Sequence, residues 1–349
     1  MNAERVLVRV PSWLGDLVQA EPAVRALYER AGERLSIAGP AHLLGVLDGR
    51  FELARRIPHE GRGGERASAW RGHATAVLFT GSWRSAWTAW RATIARRIGW
   101  ARDGRAPLLT QSAAPARERG GVPLGLGVRG RWPRPLPRPF VADCVDLVQL
   151  AGVAVRDPRP RLAAQPAAAR TLAARLEAAG LERFALLNVG GRRGSAKSWS
   201  TDSWAQVARG VRARLGLRSL LVAGPGEEER VAAVAALAAG AEPVAAADPV
   251  LDLAGLVAAC ARATLVVTAD SGPRHVASAA GAPVVVVCGP TDPRHTAAPL
   301  DDVRLVREPV ACGPCHLERC PLVGAAEHAC MRRVAPERVV AAAAELMGG

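Results

Sequence analysis

The chain has 349 residues, of which 49% are hydrophobic and 22% charged, enough for two domains with buried cores and too apolar for a disordered chain. Its formal net charge of +14 favours anionic partners: nucleic acid, an anionic membrane surface or a phosphorylated substrate. The usual nucleic-acid motifs and a continuous basic run are missing, and no apolar run reaches the length of a membrane span. The opening MNAERVLVRVPSW lacks the apolar core of a secretory signal and predicts the first strand of a cytoplasmic protein.

Arg5–Val10 reads as a strand, Pro11–Asp16 as a turn and Leu17–Arg30 as a helix, which together make a βα unit. Leu35–Ala38 and Ala76–Phe79 read as further strands. Gly81–Trp100 carries a helical pattern with Trp83, Trp87 and Trp90 at i, i+4 and i+7. That spacing predicts a core-facing stripe; a surface that meets lipid or sugar is the other reading. Arg84, Arg91, Arg96, Arg97, Arg102 and Arg105 surround it as a mostly solvated set, with one or two available to acceptor phosphates. Arg129–Pro139 is too rich in proline for regular structure. Phe140–Ala151 resumes a helix, Arg156–Pro166 is the linker candidate, and Ala167–Ala179 is a helix ending at Gly180.

The second half starts the pattern again. Phe184–Val189 is a strand, followed by the loop GGRRGSAKSW and a helix over Thr201–Leu215. Ser219–Ala223 is a strand, then Gly224-Pro225-Gly226 and a helix that opens on glutamates. Asp248–Ala261 is a loop and helix. Thr264–Thr268 and Val284–Cys288 are buried strands. Between them Asp270 and Ser271 serve as N-cap residues of a short helix, with Pro273 in its first turn and Gly281 at its end. Alternation of strands and helices in both halves predicts an α/β protein of two doubly wound domains with parallel sheets facing a cleft, ligands binding at the carboxyl ends of strands. No internal repeat is evident in the sequence.

The chemistry-bearing residues fall at those strand ends. Backbone N–H groups around Ser271 and Gly272 form an anion site, with His275 one turn on. Lys197 is the only lysine of the 46 basic residues, a compact point charge in a flexible loop that suits a diphosphate, although the loop is not a Walker sequence. Asp16, after Gly15, is either a general base or a helix N-cap. Glu227, Glu228 and Glu229 favour a helix first turn, and one of them could meet ribose hydroxyls. Cys144, Cys260 and Cys288 sit in apolar runs as core thiols. Cys312, Cys315, Cys320 and Cys330, with His316, leave three readings open: free thiols or a disulfide in a structured tail, a structural zinc, or a redox or haem site.

Taken in order, VRVPSWLGDLVQAEPAVRAL, GSWRSAWTAWRATIARRIGWARDGRAPLLT, GGRRGSAKSWSTDSWAQVA, VAGPGEEER, TADSGPRHVASAAGAPVVVVCGPTDPRHTAAP and the cysteine tail CGPCHLERCPLVGAAEHACMRRVAPERV resemble the ADP-heptose:lipopolysaccharide heptosyltransferases, glycosyltransferase family 9. The resemblance covers nearly the whole chain. It implies a GT-B fold, with an acceptor-binding domain over 1–160 and a nucleotide-sugar-binding domain over 167–349. It implies an inverting, metal-independent transfer of heptose from ADP-heptose to a phosphorylated lipid A-core acceptor, with no cofactor required and peripheral contact with an anionic inner membrane. By position, Asp16 would be the base; Trp13, Gly15 and Arg84 would face the acceptor; Ser195, Lys197, Glu227, Asp270, Ser271, Gly272 and His275 would hold the donor. One departure stands out. Some members place an acidic residue just after the glycine turn to meet the ribose, and here Gly226 occupies that place with Glu227 next. Other readings remain: the same fold with another nucleotide sugar or glycan, or a sugar- or nucleotide-binding protein with a metal or redox tail.

Overall fold

Long runs of buried Val, Leu, Ile and Ala build two parallel sheets, because strands covered by helices on both faces have no polar side to present. The computed structural model describes residues 4–61, 64–114, 117–118, 134–135, 137–191, 195–246, 250–295 and 302–348. The first sheet contains β1 (Val6–Arg9), β2 (Leu35–Pro40), β3 (Arg55–His59), β4 (Thr75–Leu78), β5 (Arg96–Trp100) and β6 (Gln111–Ala113), ordered β3-β2-β1-β4-β5-β6. Arg117–Glu118 (β7) pairs antiparallel with Arg134–Pro135 (β8), so the proline-rich stretch holds one short ladder; most of the remainder of Arg129–Pro139 lies outside the described residues. The second sheet contains β9 (Phe184–Asn188), β10 (Arg218–Val222), β11 (Val244–Ala245), β12 (Leu265–Ala269), β13 (Val284–Cys288) and β14 (Val303–Arg307), ordered β11-β10-β9-β12-β13-β14.

The helices are α1 (Leu14–Ala31), α2 (Ala41–Leu44), α3 (Ala67–Trp70), α4 (Trp83–Arg91), α5 (Phe140–Leu150), α6 (Pro166–Ala178), α7 (Thr201–Leu215), α8 (Glu228–Leu237), α9 (Leu253–Arg262), α10 (Gly272–Ala279), α11 (Ala329–Arg332) and α12 (Pro336–Leu346). The described residues of 1–118, 134–162 and 294–298 form one compact unit, and those of 163–293 and 299–349 form another. No helix of the described residues is long and apolar enough to cross a membrane.

Both sheets have the same strand order, a repetition that the sequence does not reveal. In each, the order reverses beside the first strand, between β1 and β4 and between β9 and β12. At such a switch point the loops leave in opposite directions and open a crevice at the carboxyl ends of the strands. Pro58 is tolerated because β3 is an edge strand, where a missing N–H breaks no ladder.

Two readings change in the first unit. The helical pattern over Gly81–Trp100 stops at Arg91, and Arg96–Trp100 is strand β5. The tryptophan stripe does not face the core. Ser85, Ala86, Thr88 and Ala89 form the buried side of α4, and Trp83, Trp87 and Trp90 stand exposed.

The first unit ends on a buried carboxylate. Glu21 of α1 is fully buried, lies 3.3 Å from Arg50 Nη2, and accepts the Arg161 N–H at 2.8 Å. Burial raises its pKa, and the bonds from Arg161 and the charges of Arg25 and Arg50 oppose that rise. Arg25 also donates to the Asp157 carbonyl at 2.7 Å, so the stretch before α6 is pinned to α1.

In the second unit α7 is capped at both ends. Ser200 Oγ accepts the Ser203 N–H at 3.0 Å, and Gly216 closes the helix in the left-handed region at φ 67°. Trp199 and Trp204 meet edge to face at 5.1 Å under it. Gly210 lets α7 approach α12: a Cβ there would lie 2.6 Å from Val340 Cγ2. Replacing Gly210 by Leu is therefore expected to destabilise the second unit by about 1–3 kcal/mol through overpacking, read as a lower denaturant midpoint; an unchanged midpoint would show that the two helices have slack.

Candidate functional site

At the switch point of the second sheet, four loops meet: those after β9, β10, β12 and β13. Asp270 follows β12 directly. Its carboxylate forms a buried ion pair with Arg274, one turn into α10, at 2.7 Å, and the two side chains are 2% and 3% exposed. Thr291 Oγ1 donates to the other carboxylate oxygen. Burial alone would raise the Asp270 pKa; Arg274, Lys197 and the bonds from Thr291 and Arg274 overcome it and hold the carboxyl below its ordinary value. Lys197 Nζ donates to the Asp270 backbone carbonyl at 2.7 Å. The lysine thus reaches the start of α10, where first-turn N–H groups have no intrahelical acceptor. Ammonium and helix N-terminus together make a concentrated positive site.

His275 lies on the buried side of α10. Burial first, then the charges of Arg274 and Lys197, push its pKa down to about 3 against the opposing pull of Asp270. Its ring is therefore neutral at neutral pH. Ser271 occupies the N-cap position, but its hydroxyl donates to the Ala269 carbonyl at 3.3 Å and makes no cap bond. The expected capping by Asp270 also fails, because its oxygens are committed to Arg274 and Thr291.

Glu227 binds two loops at once. It accepts the Gly191 N–H at 2.8 Å and the Gly224 N–H at 3.1 Å. A Cβ at Gly190 would lie 2.6 Å from its Oε2, so the glycine there makes room for the carboxylate. Glu227 is occupied in holding these loops. Arg230 continues the clamp, donating to the Val189 carbonyl at 2.6 Å and to that of Trp199. Ser195 Oγ accepts the Lys197 N–H at 3.3 Å, closing the turn that presents the lysine; Arg192–Gly194 lie outside the described residues.

In the first unit Asp16 stands in the first turn of α1, half-buried, at the carboxyl end of β1. It is not the N-cap, which is Trp13, 69% exposed. Gly15 lies between them in the same turn. The charge of Asp16 also contributes to the raised pKa of buried Cys144 in α5, after burial and Asp143. Beside this turn runs a polar network that the motifs did not mark. Arg9, at the end of β1, pairs with Glu65 at 2.5 Å, both nearly buried, and donates to Ser12 Oγ at 3.1 Å. Ser85 Oγ donates to Glu65 at 3.2 Å and His59 lies 3.8 Å from it. Burial and Arg9 lower the His59 pKa against the opposing charge of Glu65. Arg84 is exposed on α4.

Residues 129–325, more than half of the chain, match the model of glycosyltransferase family 9 (heptosyltransferase). The chain belongs to glycosyltransferase family 9.

Among similar proteins, lipooligosaccharide heptosyltransferase 2 of Campylobacter jejuni serotype O:2 is 28% identical over 165 residues, 46% of this chain and 50% of that protein. The family 9 chain thus spans about half the length of the curated relatives it matches. Its fold is that of E. coli ADP-heptose LPS heptosyltransferase II (TM-score 0.74, 21% identity, 98% of each chain). It is also that of a family 9 glycosyl transferase from Veillonella parvula (TM-score 0.75, 17% identity, 99% of this chain and 97% of that one). E. coli heptosyltransferase WaaC with ADP matches at a TM-score of 0.69, 19% identity, over 98% of this chain and 99% of that one.

The cysteine tail of this family 9 chain packs under the second site. Cys312, Cys315, Cys320 and Cys330 line one small cavity with Ala196, Pro290 and His328, and all four are free thiols. Burial and the three neighbouring thiols push the Cys330 pKa up to about 11. Among the described residues no group of three His, Cys, Asp or Glu side chains is arranged to hold a metal ion. The structural zinc expected as one reading of this tail is not supported by that arrangement. What the tail does is brace: Ala196, next to Lys197, donates its N–H to the Glu318 carbonyl at 2.8 Å, and His316 donates its N–H to the Pro290 carbonyl at 2.8 Å.

Arg274 and Arg230 were missed because nothing in the sequence separates a buried arginine from the many solvated ones. The signal available was Arg274 four residues after Asp270, an i, i+4 pair.

Acid sensitivity follows from His275. Unfolded, its imidazole takes a proton near pH 6.5; folded, only near 3. The unfolded state binds the extra proton between those values, so stability falls as pH drops through that window. Asp270, with its pKa depressed, adds stability that is present above its unfolded value near pH 4 and lost as pH falls through the folded one. The thermal midpoint should decline from pH 7 to 4.5, and His275→Gln should flatten the decline; an equal slope in the variant would assign the acid loss elsewhere.

Proposed function

We propose that the chain is an inverting glycosyltransferase that moves heptose from ADP-heptose to the inner core of lipopolysaccharide, working in the cytoplasm. On this reading the first unit holds the acceptor and the second holds the nucleotide sugar. The observation that carries it is the positive site at the switch point of the second sheet, where Lys197 reaches the N-terminus of α10 beside the buried Asp270–Arg274 pair. A sugar nucleotide needs such a site, since its diphosphate is the anion held before reaction and the leaving group after it.

The Asp16 carboxylate takes the proton of the acceptor hydroxyl. The freed oxygen attacks the anomeric carbon from the face opposite the diphosphate, so the configuration inverts. The bond from that carbon to the diphosphate oxygen breaks, and ADP departs with the electron pair. Lys197 and the N–H groups of Ser271 and Gly272 stabilise the growing negative charge, a role that metal ions fill in other transferases. Neutral His275 adds no competing charge but packs the helix that aims those N–H groups. Gly15 allows close approach beside Asp16, and exposed Trp13 offers a sugar a ring face. Family membership supports the reaction class, and a WaaC structure with ADP, on the same fold, supports the nucleotide.

Turnover of ADP-heptose against UDP- and GDP-sugars, with a core oligosaccharide acceptor, tests the substrate. ADP-heptose should be used in strong preference; equal use of another sugar nucleotide would move the chain to a different donor. Asp16→Asn should lower kcat by about a hundredfold or more, the usual worth of a general base, with ADP affinity retained. Lys197→Ala should weaken ADP binding by roughly tenfold to a hundredfold, the worth of one charge-assisted hydrogen bond. Unaltered ADP affinity would remove the lysine from the phosphate site.

A further inference from the structure

Helix α4 exposes three large aromatic side chains in a row. Trp83, Trp87 and Trp90 are 48%, 38% and 46% exposed. Their rings form a ladder: Trp83 stacks on Trp87 at 5.2 Å and 18°, and Trp87 on Trp90 at 4.8 Å and 28°. The opposite side of the helix is small and buried, made of Ser85, Ala86, Thr88 and Ala89, so the rings cannot turn inward. The base of the helix is fixed as well. Arg105, fully buried, donates to the Ser82 carbonyl at 2.9 Å and to the Trp100 carbonyl at 2.8 Å. A contiguous aromatic surface of this kind in water marks a place where something docks.

The stacking narrows what that is. A sugar or a nucleobase binds tryptophan through the ring face. Both faces of Trp87 are covered by its neighbours, so the ladder presents mostly ring edges, with open ring faces only at its two ends. Indole edges, with their N–H groups, suit the interfacial layer of a bilayer, where one end of the ring is apolar and the other wet. The charge beside the ladder points the same way. Arg96 and Arg97 spend their guanidinium groups on backbone carbonyls of Leu150 and Leu108, and Arg105 is buried. Arg84 and Arg91, by contrast, are exposed along one flank of the ladder, with no ion-pair partner among the described residues. Two unpaired arginines beside the patch oppose its pairing with a second copy of itself and favour an anionic surface.

We propose that α4 is a membrane-docking helix. Its tryptophan ladder enters the interfacial layer of an anionic bilayer, and Arg84 and Arg91 meet lipid phosphates. This surface is argued without the transfer reaction, and its test does not use turnover, so failure here would leave the transferase reading standing.

The test is flotation of the full chain with vesicles of phosphatidylglycerol and phosphatidylethanolamine, against vesicles of phosphatidylcholine alone. Binding to the anionic vesicles should exceed binding to the neutral ones by about 25-fold and weaken with added salt, since each of the two arginines at an anionic surface contributes roughly fivefold. Brominated lipid should quench tryptophan emission in the unmodified chain. W83Q/W87Q/W90Q should lose that quenching and bind about tenfold less or weaker still. R84Q/R91Q should bind roughly 25-fold less to anionic vesicles and be unchanged on neutral ones; this pair decides the matter if the triple variant does not fold. The proposal is overturned if the unmodified chain does not partition, or if the folded triple variant binds equally. It is likewise overturned if sedimentation shows that the ladder is buried in a dimer.

Discussion

The buried ion pair of Asp270 and Arg274 is the constraint on which the second site depends. Two charges taken out of water must satisfy each other, and removing either would take away the other's buried ion-pair partner at a cost of several kcal/mol. The pair therefore fixes the first turn of α10 on the end of β12. Because Arg274 and Thr291 take both carboxylate oxygens, Lys197 reaches the Asp270 backbone carbonyl instead. Its charge stays directed toward the helix N-terminus rather than being cancelled by a carboxylate contact. His275, neutral beside these cations, completes an arrangement in which fixed positive charge gathers at one strand end.

Around that pair the chain uses backbone bonds to hold loops that have little secondary structure. Glu227 ties the glycines after β9 to those after β10, Arg230 ties β9 to the turn before α7, and the cysteine tail holds Ala196 and Pro290. The tail thus braces these loops through its backbone, while its thiols line one small cavity. In the first unit a second buried pair, Arg9 with Glu65, does the same for the strand ends beside Asp16. Both units put a charged, buried pair at the switch point of a sheet with the same strand order, although their sequences show no repeat. The order follows from right-handed crossovers between parallel strands, which many sequences satisfy.

Particular residues show how far the sequence could be read. Alternating apolar runs and glycine-bounded turns gave β9, α7, β12 and β13 to within a residue or so, since burial on both faces leaves an unbroken apolar signature. Strands β3 and β14 escaped because they lie at sheet edges and their arginines resemble loop, and β5 because its arginines continue the helical pattern that starts at Gly81. The stripe on α4 misled. Helical spacing tells which residues share a face; it does not tell which face the rest of the chain covers. Here the small residues pack inward and the tryptophans remain outside.

The sequence by itself determined the alternation of strands and helices, the strand-end positions of Asp16, Lys197 and Asp270, and the resemblance to a transferase family that the comparisons then established. These are properties of spacing and residue type along the chain. Only the tertiary structure decided which charges are buried in pairs, that Glu227 is a clamp, that the four tail cysteines line one cavity, and that the tryptophan ladder is exposed. Each of these depends on groups far apart in sequence sharing one environment, where burial and long-range pairing, rather than local pattern, set the energy of a side chain.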